Sequence, residues 1–217
     1  MNPMYPLFIA LIIVCALFVC VLFAFQVIVT RSLNPLTFFT LIHELGHAIC
    51  IRKIISKYKI NYEPSIILIG SKYAPMTKPK HSTIFKNYIL KFYKGNQGKG
   101  LSLSPHATYF SPEEIAKIAK AGYQAVKIFI LIVFFVFLMM CILINTVLHF
   151  SVPISILALI FITVFSALML FHYDFLRSSD YLYFSDPDQF DRHNVCSLYH
   201  AYAENQYDEC HNEDPTK

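Results

Sequence analysis

Residues 43–47 read His-Glu-Leu-Gly-His and stand inside a run that is nearly all apolar, with Leu36–Ile42 before them and Ala48–Ile51 after. Such a run predicts a helix, and on a helix positions i and i+4 face the same way, so His43 and His47 offer both imidazoles to one point with Glu44 beside them. Two imidazoles so spaced are ligands for Zn²⁺, and the adjacent carboxylate is placed to act as general base towards a water on the metal. Ionisable side chains in an apolar segment are costly to bury and mark a functional site. The rest of the chain therefore has to supply a third ligand and walls for this group.

The surroundings predict a membrane. The 217 residues are 56 % hydrophobic and only 15 % charged, with a mean hydropathy of +0.49, too apolar for an ordinary soluble domain. Leu7–Val29 holds one polar side chain, Gln26, over 23 residues, a helix of about 35 Å that crosses a bilayer. No Lys or Arg precedes it, and it is too long for a cleaved signal peptide. Asn34 caps a second helix, about 35–55, with Pro35 in its first turn. Ser111-Pro112-Glu113-Glu114 opens a short polar helix that leads through Gly122 into a third long helix, about 123–149, and a fourth covers about 154–171. The expected fold is an all-α polytopic membrane protein with about four transmembrane helices. A small strand-containing insertion, about 56–111, joins the second and third, with strands at Ser65–Gly70 and Leu101–Phe110. Residues 1–184 form the membrane-embedded domain and 185–217 a polar tail.

Thirteen of the 18 Lys and Arg lie within residues 52–120. The positive-inside rule puts that segment in the cytosol, and four spans put both termini there as well, in a membrane taken to be the plasma membrane of a bacterium. Helices 2 and 4 both run inward. HELGH and the acidic residues after helix 4, Asp174 and Asp180, then stand at one depth, and either can complete the ligand set. Glu113 and Glu114 are further acidic candidates. The tail offers a second group, His193, Cys196, His200, Cys210 and His211, whose spacing fits no standard zinc finger. The other cysteines lie scattered, mostly in apolar runs, as buried thiols.

HELGHA at residues 43–48 resembles the site-2 protease family of intramembrane zinc metalloproteases. Leu176-Arg177-Ser178-Ser179-Asp180-Tyr181 resembles the family's later ligand element, and Ala121-Gly122-Tyr123 its small-residue step. The resemblance covers roughly residues 35–185 and implies a compact member without a PDZ domain. It implies Zn²⁺ held by His43, His47 and Asp180, Glu44 as catalytic base, and hydrolysis of peptide bonds in membrane-spanning or membrane-associated segments. Tyr181 stands where the family has Gly, and no Asn-Pro-Xaa-Pro run precedes Asp180. The expected partners are a lipid bilayer and a membrane protein or peptide substrate, with no nucleic acid. The alternatives are a membrane zinc peptidase of another class, acting on soluble or lipidated substrates, and a non-catalytic metal-binding scaffold.

Overall fold

The computed structural model of the chain describes residues 20–21, 23–58, 63–70, 79, 81–85, 87–93, 99–148, 154–176 and 178–211. Most of the expected first transmembrane helix lies outside the described residues; its end is α1, residues 23–30. The chain turns through Arg31, in the left-handed region at φ 48°. Helix α2, Pro35–Tyr58, then starts where the sequence predicts. Its cap is Asn34, whose Oδ1 accepts from the Leu36 N–H at 3.0 Å.

After α2 comes a sheet of four strands: β1 (Ser65–Ile69), β2 (His81–Phe85), β3 (Tyr88–Phe92) and β4 (Gly100–Leu103), in the order β2-β3-β1-β4. β2 and β3 pair antiparallel, β1 runs parallel to β3, and β4 returns antiparallel to β1. All five residues of β1 are buried, as befits a central strand covered on both faces. Its alternate side chains go to different cores. Ile67 and Ile69 pack with Leu90, Phe92 and the α2 residues Leu41 and Ala48. Ile66 and Leu68 pack with Leu103, Tyr199 and Tyr202 on the other face.

The helices that follow are α3 (Pro112–Leu148), α4 (Ile154–Leu176), α5 (Ser179–Ser185) and α6 (Arg192–His211). The expected capping box opens α3: the Glu114 N–H donates to Ser111 Oγ at 3.3 Å, and the Ser111 N–H donates to Glu114 Oε2 at 3.0 Å. Ile51, Ile54 and Ile55 of α2 meet Phe110 and Ile115 in a third core. Higher up, the two helices touch at small residues. A Cβ on Gly46 would stand 2.6 Å from both the Ala121 carbonyl oxygen and Ala125 Cβ.

The all-α, four-span expectation is overturned. Among the described residues one helix is long and apolar enough to cross a membrane, Pro112–Met139. A four-stranded sheet stands beside the helices. The reason lies in where the apolar side chains go. Leu41, Ala48, Ile51, Ile54 and Ile55 of α2 are buried against the sheet and α3, so its hydrophobicity serves a protein core rather than lipid. The candidate span differs, being only 11 % buried. Ile128, Ile132, Phe135, Val136 and Met139 are exposed along one of its faces, at the spacing of a helical stripe. An exposed apolar surface of that extent marks a membrane or protein contact.

Four local expectations also change. The short helix expected at 112–121 and the long helix expected from 123 are one, since α3 runs unbroken through Gly122. The strand expected at 101–110 stops at Leu103. Strands β2 and β3 lie in the lysine-rich stretch where none was expected. The tail carries a helix, α6, that covers one face of the sheet through Tyr199 and Tyr202. Val195, Leu198, Tyr199 and Tyr202 recur at i, i+3, i+4 and i+7, a helical stripe visible in the sequence but masked by the polar residues around it.

The contact of α2 with α3 leaves no room for a methyl group, so Gly46→Ala is expected to cost about 1–3 kcal/mol by overpacking. A thermal melt of the purified protein checks this, and an unchanged Tm contradicts the packing described.

Candidate metal centre

α2 brings His43, Glu44 and His47 to one side of the helix, in a group whose ligand atoms lie within 4.8 Å of one another. α5 adds a fourth residue. His43 Nε2 lies 2.7 Å from Asp180 Oδ2, His47 Nε2 lies 3.0 Å from His43 Nε2, and His47 Nε2 lies 3.4 Å from Asp180 Oδ2. Asp180 stands on a helix of its own rather than on α4. α5 begins after α4 has ended, and Ser178 caps it, accepting from the Tyr181 N–H at 3.3 Å. The cap fixes the first turn of α5 and so the position of Asp180.

Two sets of three ligands can be drawn here, His43-Glu44-His47 and His43-His47-Asp180. The second is the tighter. A tetrahedral zinc with bonds of about 2.0–2.1 Å separates its ligand atoms by about 3.3–3.4 Å. The His47–Asp180 edge already has that length, and the other two need to open by roughly 0.3–0.7 Å. The orientation of the His47 ring fits as well. His47 Nδ1 lies 2.7 Å from the Ile118 carbonyl oxygen, an acceptor only. The Nδ1–H therefore donates to that carbonyl, and Nε2 faces Asp180. Against the effect of burial, Asp180 pushes the His47 imidazole up to about 9, so a cation would bind Nε2 by displacing its proton. Two imidazole nitrogens and a carboxylate oxygen pointing at one place make a donor set for a borderline cation such as Zn²⁺.

Glu44 is held apart from this trio. Ser102 Oγ lies 2.8 Å from both Glu44 Oε2 and the Glu44 carbonyl oxygen, so its hydroxyl proton is shared between side chain and backbone. A Cβ on Gly100 would come within 2.5–2.8 Å of three atoms of the Glu44 side chain, so any other residue there would displace the Glu44 carboxyl. Burial pushes the Glu44 carboxyl above the usual carboxylate range, while His47 and His43 pull it the other way. At Asp180 burial acts in the same sense but is outweighed, and the hydrogen bonds to His43 and His47 hold its carboxyl well below that range. Glu44 and His47 are each 6 % exposed, whereas the His43 and Asp180 side chains are 27 % and 21 % exposed, so the group is buried on one side and reached by solvent on the other.

α3 closes the site from the other side. A Cβ on Gly122 would lie 2.5 Å from His47 Nε2 and 2.7 Å from His43 Nε2, the two atoms that face the ligand position. The structure thus brings together His43, Glu44, His47 and Asp180. Asp174 falls on α4, and its side chain lies outside the described residues. Glu114 is engaged elsewhere, in the capping box and as acceptor from Tyr58 Oη at 2.7 Å. Of the tail group, His193 and His200 are exposed, Cys196 donates to the Pro105 carbonyl oxygen at 3.4 Å, and the side chains of Cys210 and His211 lie outside the described residues.

Two contributors carry no sequence signal of their own. Ser102 looks like any strand serine, and Ile118 acts through a carbonyl that every residue has. No protein-family model, curated protein or solved structure matches the chain.

Metal analysis of purified variants tests the assignment. His43→Ala, His47→Ala and Asp180→Ala should each lose bound zinc, by at least the 10–100-fold in affinity typical even of supporting residues. Gly122→Ala should lose it too, with an intact circular dichroism spectrum. Zinc retained at wild-type stoichiometry by Asp180→Ala would assign the third position to another group.

Proposed function

We propose that the chain is a zinc-dependent metalloendopeptidase of the membrane, similar in its site to the site-2 protease family. Its substrates are membrane-spanning or membrane-associated protein segments. The observation that carries the reading is the convergence of His43 Nε2, His47 Nε2 and Asp180 Oδ2 within 3.4 Å of one another, with Glu44 alongside but fastened separately to Ser102.

His43, His47 and Asp180 would hold the zinc, which when bound would acidify a water and polarise a peptide carbonyl. Glu44 would act as general base towards the attacking water and pass its proton to the leaving amine. Ser102 turns the carboxylate towards the paired imidazoles, and the Ile118 carbonyl keeps His47 Nε2 inward. A helical substrate hides its carbonyls in its own hydrogen bonds, so the cut segment must be extended. β1 lies inside the sheet, whereas β4 is an end strand beside Glu44, and strand addition there lays a peptide across the site.

The membrane assignment draws on α3, whose candidate span begins next to the site and carries the exposed apolar stripe. Arg52, Lys53, Lys57, Lys117 and Lys120 flank that end of the molecule, which the positive-inside rule places in the cytosol. A passive metal-holding scaffold has no use for a buried carboxylate oriented by a serine, and this favours hydrolysis.

Glu44→Gln separates base from ligand. The variant is expected to keep its zinc while cleavage of a membrane-anchored reporter falls about 10²–10⁴-fold, the usual contribution of a general base. Cleavage at the wild-type rate by the zinc-loaded variant would falsify the mechanism.

A further inference from the structure

We infer that the cavity beside the candidate metal centre is a specificity pocket for one bulky apolar side chain, leucine- or phenylalanine-sized, flanking the bond that is cut. The inference rests on the protease reading above and narrows its substrate class.

The cavity has a volume of about 180 Å³, and Glu44, His47 and Asp180 form part of its wall. The remainder is largely apolar, with Ile51, Phe110, Ile115 and Val195 among its lining. Ile51, Phe110 and Ile115 are each at most 4 % exposed, so this part is closed, while Asn194 at the start of α6 is exposed and borders the cavity on the solvent side. A cavity of about 150 Å³ with aliphatic and aromatic walls is known to hold a benzene ring, so this one has room for a phenyl or isobutyl group. It opens onto the candidate base and two candidate ligands. A side chain seated in it therefore belongs to a residue next to the bond under attack. A carboxylate side chain is disfavoured, because the Ile51, Phe110, Ile115 and Val195 part of the wall would strip it of water without giving it a partner.

Part of the wall comes from α6, through Val195 and Leu198. Substrate choice would therefore depend on the C-terminal helix, which supplies none of the metal-binding residues.

The experiment uses the full chain, zinc-loaded, in nanodiscs, with Val195→Phe and Leu198→Phe as cavity-filling variants that touch neither ligand nor base. Two readouts run in parallel. In the first, quenched-fluorescence peptides vary Phe, Leu, Ala and Asp on each side of the cut. At one of these two positions wild type should prefer Phe or Leu over Ala by about tenfold or more, and at least one variant should lose or invert that preference while retaining zinc. In the second, N-acetyl-phenylalaninamide and N-acetyl-glycinamide are titrated into the Glu44→Gln protein and followed by ligand-observed NMR. The phenylalanine compound should bind, the glycine compound should not, and adding a filling substitution should remove the binding. Cleavage without side-chain preference, or binding unaffected by both filling variants, overturns the pocket and leaves the protease standing. Binding that the variants abolish, with no cleavage of any peptide, keeps the pocket and removes the protease. Absence of both removes both.

Discussion

Two imidazole nitrogens and a carboxylate oxygen meet at 2.7–3.4 Å in a half-buried site, and much of the surrounding packing serves to hold them there. Electron-rich atoms gathered so closely need positive charge among them, which a protonated His47 supplies and a divalent cation would supply in its place. The chain creates this need by close approach. Gly122 lets the α3 backbone reach the imidazoles, Gly100 lets β4 reach Glu44, and the Ile118 carbonyl orients His47. α5, only seven residues long, stands on its Ser178 cap and presents Asp180. A cation bound at this point would tie α5 to α2, and its binding free energy would in part be the free energy of assembling the two.

The site was more legible in the sequence than the architecture around it. HExxH is a local pattern whose geometry follows from helical periodicity alone, whereas position in the sequence left Asp174 and Asp180 both open and only the family resemblance of residues 176–181 singled out Asp180. The Asn34 cap and the Ser111–Glu114 box were legible for the same reason, since each rests on residues at most three positions apart. What failed were inferences that needed a destination for apolar side chains. Hydropathy cannot distinguish a helix that faces lipid from one that faces a sheet, and α2 does the latter through Leu41 and Ala48. β3 was hidden by Lys91, a residue type that normally argues for solvent. Here it is 3 % exposed, and its Nζ donates to the Tyr202 carbonyl oxygen at 2.8 Å.

The apolar composition thus divides between two environments. The two faces of β1, the inner faces of α2 and α6 and the first turns of α3 make protein cores. Further along α3, and on α4 at Phe161, Ile162, Phe165 and Met169, apolar side chains stand exposed. The candidate metal centre lies where the one regime passes into the other, against Ile118 and Gly122 near the start of the candidate span. A site so placed needs protein walls of its own, because ionisable groups do not survive against hydrocarbon unpaired. The sheet supplies those walls. A bundle of apolar helices offers no equivalent of the Ser102 hydroxyl at the end of a strand.

Sheet register, α6 and the cavity therefore form one mechanical unit. Along β3 the side chains of Tyr88, Leu90 and Phe92 enter the core shared with α2, while Ile89 and Tyr93 join the core shared with α6. Lys91 lies between these last two in the same alternation and reaches the α6 backbone. Because successive strand residues alternate in direction, a slip of one position would turn Lys91 towards α2 and leave its charge among Leu41, Ala48 and Ile69. Burying an unpaired ammonium there is prohibitive, so a lysine that obscures the strand in the sequence also specifies its register. The same bond docks α6 on the sheet, and α6 carries the Val195 and Leu198 wall of the cavity. Conditions that neutralise or release Lys91 would loosen that wall before they disturbed the candidate ligands, which are anchored on α2 and α5.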